Sequence, residues 1–97
     1  MKLDHVAINV SNIEDSVEWY VKELKAEVLY KDETWAMLGV GGTKIALTIS
    51  LQHPPHLAFA VDSEDDIPSS EIKKHRDGSR YVYKQDPDGN CVEWVCY

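Results

Sequence analysis

The sequence predicts an α+β fold built from two strand–helix–strand–strand–strand modules, the second with a strongly shortened helix. Three observations carry this reading. One capped amphipathic helix follows the first strand, and three strand-like segments with a Gly-Gly turn among them come after it. Beyond a Pro-Pro pair, the same order of elements begins again. At 97 residues the chain is expected to be a single domain spanning 1–97. Module one is expected at about 1–50, a linker at 51–55 and module two at about 56–97.

The opening segment KLDHVAINV alternates as a strand. Val6, Ile8 and Val10 form an apolar stripe, while Leu3, His5, Ala7 and Asn9 share the other face. Next, Ser11 and Glu14 fit a capping box, and Asp15 adds acid to the first turn. Ile13, Val17, Tyr20, Val21 and Leu24 then recur at helical spacing, predicting one apolar face. EVLYKD, TWAMLGV and TKIALTIS read as strands, with Gly41-Gly42 supplying a tight hairpin between the last two. Pro54 and Pro55 exclude a central strand and mark the linker.

HLAFAV opens the second module, and DSEDDIPSS holds about one helical turn before Pro68 stops it. EIKKHR and RYVYKQ read as strands joined at Asp77-Gly78. DPDGN is a turn into the last strand, CVEWVCY. Cys91 and Cys96 fall on opposite faces of that strand, so they are expected to be reduced thiols that do not bond to each other.

Composition narrows the function. A net charge of -7 and a pI of 4.9 argue against nucleic-acid binding, and KKHR is too short a basic cluster to change that. Because no run is long and apolar enough to span a bilayer and no signal peptide opens the chain, a cytoplasmic protein is expected, with no membrane partner. A core this small makes help from a second subunit unsurprising.

Strand alternation puts three polar groups opposite apolar stripes: His5, His56 and Glu93. Glu93, between Val92 and Trp94, is the sharpest of them, because a buried carboxylate demands a cation, hydrogen bonds or a proton. Two imidazoles and one carboxylate make a metal-binding donor set that suits iron, manganese, nickel or zinc. A lone strand histidine is ordinarily structural, so the weight rests on the three together. His75, among Lys73, Lys74 and Arg76, reads as part of a solvated strand face, and His53 as an exposed linker residue. Asn9, Thr48, Trp35 and Tyr83 are candidates to line a substrate pocket, Trp35 and Tyr83 as aromatic walls.

LDHVAINVSNIEDSVEWYVKEL resembles the opening of the vicinal oxygen chelate superfamily, the glyoxalase/bleomycin resistance/dioxygenase group. HLAFAV resembles its mid-chain strand, and YKQDPDGNCVEWV its closing signature. The resemblance implies paired βαβββ modules forming an open cup-shaped sheet around a divalent transition metal. It implies metal ligation by His5, His56 and Glu93, with Glu93 also the catalytic candidate, and often a homodimer. A fourth family ligand position falls at Ala46, which cannot bind a metal. That departure sets the chain apart from glyoxalase I and methylmalonyl-CoA epimerase. It brings the chain nearer to extradiol dioxygenases and fosfomycin-modifying transferases. The function implied is a small metal-dependent enzyme on a small oxygenated metabolite, whether as lyase, isomerase, transferase or dioxygenase. The competing reading is a bleomycin-resistance-like protein that sequesters a small drug or metabolite without chemistry.

Overall fold

The computed structural model describes residues 1–49 and 53–97. Ser50 and residues 51 and 52, where the expected third hairpin strand ends and the linker begins, lie outside the described residues. The chain divides into two compact units, an N-terminal one (His5–Pro55) and a C-terminal one formed by Met1–Asp4 with His56–Tyr97. The first strand, β1 (Lys2–Asn9), passes from one to the other.

In the N-terminal unit, β1 is followed by α1 (Ile13–Leu24) and then by β2 (Glu27–Lys31), β3 (Trp35–Val40) and β4 (Thr43–Thr48). β2, β3 and β4 form an antiparallel meander, and β4 returns parallel to β1 with Ala7 opposite Ala46. The connection of β1 to a parallel strand through a helix demands a crossover, which α1 opens. Ile13 and Val17 of α1 pack with Ala26, Ala36, Leu38 and Leu47, joined by Ile8 of β1 and Val10 just after it. The stripe expected opposite His5 therefore does face the helix side.

Two details of α1 differ from the sequence reading. The cap is Asn12, not Ser11: its Oδ1 accepts from the Asp15 N–H at 2.9 Å. Asparagine caps as well as serine does, and here it also leaves Asp15 in the first turn. The apolar face is also narrower than expected. Val21 and Leu24 stay 40% and 44% exposed, while Ile13, Val17 and Tyr20 make the helix's contacts with the core.

The C-terminal unit holds β5 (His56–Ala60), a 3-10 turn (Glu64–Asp66), β6 (Lys73–Lys74), β7 (Arg80–Gln85) and β8 (Cys91–Cys96). β5 pairs parallel to β8, β8 antiparallel to β7, and β7 antiparallel to β6. The order repeats that of the N-terminal unit, with the helix reduced to one turn capped by Ser63. Val61, Ile67 and Val82 make its small core, with Ile72, Trp94 and Cys96 against it. β6 is only two residues long, so the strand expected over 71–76 ends before His75. The chain has the βαβββ order twice, the second time with a vestigial helix.

Candidate metal centre

Asp86 fixes the entry to β8. Its Oδ1 accepts from the Asp88 and Asn90 backbone N–H groups, its Oδ2 accepts from Asn90 Nδ2, and Gly89 turns the chain at φ 86°. These bonds, those from Asn90 first, hold the Asp86 carboxyl below its ordinary pKa. The β8 strand that follows sets Glu93 opposite Tyr83 of β7 and Ala58 of β5. His56 pairs with Cys91, two residues from Glu93, so alternation places His56, Glu93 and Tyr83 on one face.

On that face Glu93 is 2% exposed. Its Oε2 lies 2.6 Å from His75 Nε2, and its Oε1 lies 3.4 Å from His56 Nε2. Burial alone would push the carboxyl pKa up. Hydrogen bonds and charge from His56 and His75 outweigh burial and bring it down to about 2. Glu93 is thus an anion, able only to accept hydrogen bonds. The Tyr83 ring meets His56 edge-on at 5.2 Å, and Tyr81 stacks flat on His75 at 3.6 Å. Burial first, and Glu93 next, raise the Tyr83 hydroxyl far above its usual pKa, so it remains a proton donor.

The two spacings around Glu93 have different meanings. Atoms each about 2.1 Å from one ion at the tetrahedral angle lie about 3.4 Å apart. The His56–Glu93 Oε1 separation matches that value. At 2.6 Å, His75 and Oε2 could share an ion only at about 76°, tighter than tetrahedral or octahedral geometry allows. That distance is a short charge-assisted hydrogen bond. The donor chemistry and spacing of His56 and Glu93 therefore fit a divalent transition metal.

His5 is also buried, at 8% exposure, in β1 of the N-terminal unit, on the face opposite Ile8. Among the described residues, the buried imidazoles and carboxylates are His5, His56 and Glu93. Asn9 and Thr48 bond to each other in the N-terminal unit: Asn9 Nδ2 donates to Thr48 Oγ1 at 2.9 Å and to the His53 carbonyl at 3.0 Å. Trp35 stacks on Tyr30 at 4.6 Å. Ala46 is buried against β1 and β3 and offers no ligand atom. A cleft of about 400 Å³ opens at the start of α1, lined by Ser11, Glu14, Lys31, Asp32 and Glu33, with no imidazole or thiol.

Two histidines were misread from sequence. His53 is half-buried rather than exposed, and its carbonyl is engaged. His75 belongs to no solvated strand face: its ring is half-buried on Tyr81 and against Glu93. Its position is set by the turn after it. The His75 N–H donates to the Ser79 carbonyl, Gly78 donates back to His75, and Gly78 adopts φ 92°. The Asp77-Gly78 pair was visible in the sequence, but the direction of a side chain just outside a two-residue strand was not.

A family model described as the Glyoxalase/Bleomycin resistance protein/Dioxygenase superfamily matches residues 2–69. The chain belongs to this superfamily. A metallothiol transferase FosB of Staphylococcus epidermidis (strain ATCC 12228 / FDA PCI 1200) is 27% identical over 94% of this chain and 78% of its own length. A second FosB, of Staphylococcus haemolyticus (strain JCSC1435), is 35% identical over 65% of this chain, and the match spans about half, 51%, of that protein. Among solved structures, methylmalonyl-CoA epimerase from Mycobacterium tuberculosis superposes with a TM-score of 0.78. It covers 98% of this chain and 87% of its own at 21% identity, which establishes the shared fold. Among the described residues, no helix is long and apolar enough to cross a membrane.

Proposed function

We propose that this protein is a small divalent-metal-dependent enzyme that holds its ion through His5, His56 and Glu93. It acts on a small oxygenated metabolite whose vicinal oxygens chelate that ion. The observation that carries the reading is the 3.4 Å spacing of His56 Nε2 and Glu93 Oε1, both deeply buried and set as two ligands of one ion would be. His5 is the remaining buried donor of a two-imidazole, one-carboxylate set.

A bound divalent ion supplies Lewis acidity toward substrate oxygens. Around it, Glu93 contributes negative charge, and Tyr83, whose ring meets His56 edge-on, lines the same face. Of the lyase, isomerase, transferase and dioxygenase alternatives, the FosB likeness favours a transferase, and alanine at position 46 fits a three-ligand site. Iron, manganese, nickel and zinc all suit the donors. Two free, half-buried cysteines support a reducing cytoplasmic location. The exposed Val28, Leu29 and Tyr30 of β2 and Trp19 of α1 support a homodimer.

Elemental analysis of protein purified without a chelating column tests the proposal. It predicts one transition-metal ion per chain, lost in a folded His56→Ala variant. Folded wild-type protein that takes up no metal at neutral pH would leave the sequestering role in its place.

A further inference from the structure

We propose that His75 is the positioning residue of the metal site, holding Oε2 of Glu93 so that the carboxylate binds the ion through Oε1 alone. This rests on the metal-site reading above. Three observations on the C-terminal unit carry it. First, the 2.6 Å distance is right for a hydrogen bond and wrong for two ligands of one ion. Secondly, the ring atom of His75 that faces Oε2 is Nε2, so the proposal requires the Nε2–H tautomer with that nitrogen donating. Thirdly, the imidazole is itself held. Tyr81 lies parallel to it, with an interplanar angle of 9°, and Tyr81 meets Tyr83 edge-on at 5.3 Å.

The main chain fixes the base of the same side chain. His75 and Ser79 close the turn by backbone hydrogen bonding, and Asp77 Oδ1 accepts from both the N–H and the hydroxyl of Ser79. Ser79 is 5% exposed, so this turn is anchored in the unit. A ligand carboxylate free to rotate would sample bidentate binding and occupy two coordination positions. With Oε2 held on the His75 side and Oε1 on the His56 side, Glu93 occupies one. The position saved would then be free for a substrate oxygen. Partners of this kind orient ligands and alter metal affinity about 10- to 100-fold.

The test combines a metal-free spectrum with zinc titrations of wild type, His75→Ala, His75→Gln and Tyr81→Leu. In metal-free wild type, nitrogen-15 NMR of the imidazoles should show His75 as the Nε2–H tautomer with a strongly downfield proton. Competition with a chromophoric chelator should then give a zinc affinity about 10- to 100-fold weaker in His75→Ala. His75→Gln should recover most of the loss, since glutamine also presents an N–H. Tyr81→Leu should fall between wild type and His75→Ala. Unchanged zinc affinity in His75→Ala, or an Nδ1–H tautomer, overturns the inference while leaving the metal site intact. Complete loss of zinc, as in His56→Ala, also overturns it, making His75 a ligand. Wild type that binds no zinc overturns the metal-site reading, and with it this inference.

Discussion

Truncating Glu93 to alanine in chelator-treated protein should cost about 3–5 kcal/mol of stability at pH 7. Two estimates from the same contacts reach this size. The first counts what is left behind: a buried His56 and a half-buried His75 lose the carboxylate that both face. A hydrogen bond to a charged group contributes about 1.5–3 kcal/mol, and breaking one side of a buried pair costs about 3–5. The second uses proton linkage. The Glu93 carboxyl falls from 4.5 to about 2 in the folded protein. That difference corresponds to roughly 3 kcal/mol in favour of the ionised, folded form. Because the folded pKa is the lower one, this stabilisation is complete above pH 4.5 and drains away as the pH falls toward 2.

Urea unfolding followed by circular dichroism, with chelator present, measures the loss. For a chain of this size, 3 kcal/mol corresponds to a fall in Tm of about 12 °C or more. Glu93→Gln, which keeps the shape and one acceptor, should lose less than Glu93→Ala. The wild-type advantage over Glu93→Gln should shrink between pH 4.5 and 2. A loss below about 1 kcal/mol in Glu93→Ala, the range of an ordinary surface change, would refute the account of Glu93 as a paired buried anion.

Three further substitutions test the frame around the site. Leu38→Ala removes a side chain with no solvent exposure from the α1 core and should cost about 2–5 kcal/mol in urea unfolding. Asn9→Ala breaks the bonds to Thr48 and the His53 carbonyl, with an expected loss of about 1–3 kcal/mol by the same assay. Gly78→Ala meets no steric neighbour but must hold φ 92°, so it should lower stability by about 1–2 kcal/mol through the backbone alone, read as a fall in Tm.

The two-fold alternation of β1, β5 and β8 made three buried polar side chains legible. His5, His56 and Glu93 each sit opposite an apolar stripe, and each is buried. The order of elements was legible too, because Gly41-Gly42, Asp77-Gly78 and Asp88-Gly89 mark turns that the backbone takes at positive φ. Legibility failed where local rules were nearly balanced. Ser11 and Asn12 are comparable caps, and the helix takes Asn12, with Ile13 buried at its first position. His75 lies beyond the end of a two-residue strand, so no period governs it, and a turn delivers it to Glu93 from 18 residues away. The narrow helix face has the same origin: periodicity gives a stripe, but the sheet determines how much of it is covered.

The central claim is that two imidazoles and one carboxylate oxygen bind a metal, and X-ray absorption on zinc-loaded protein reads those ligands directly. It should show two imidazole nitrogens at about 2.0–2.1 Å with the remaining positions filled by oxygen. Sulfur in the first shell, or one imidazole or none, would contradict the account.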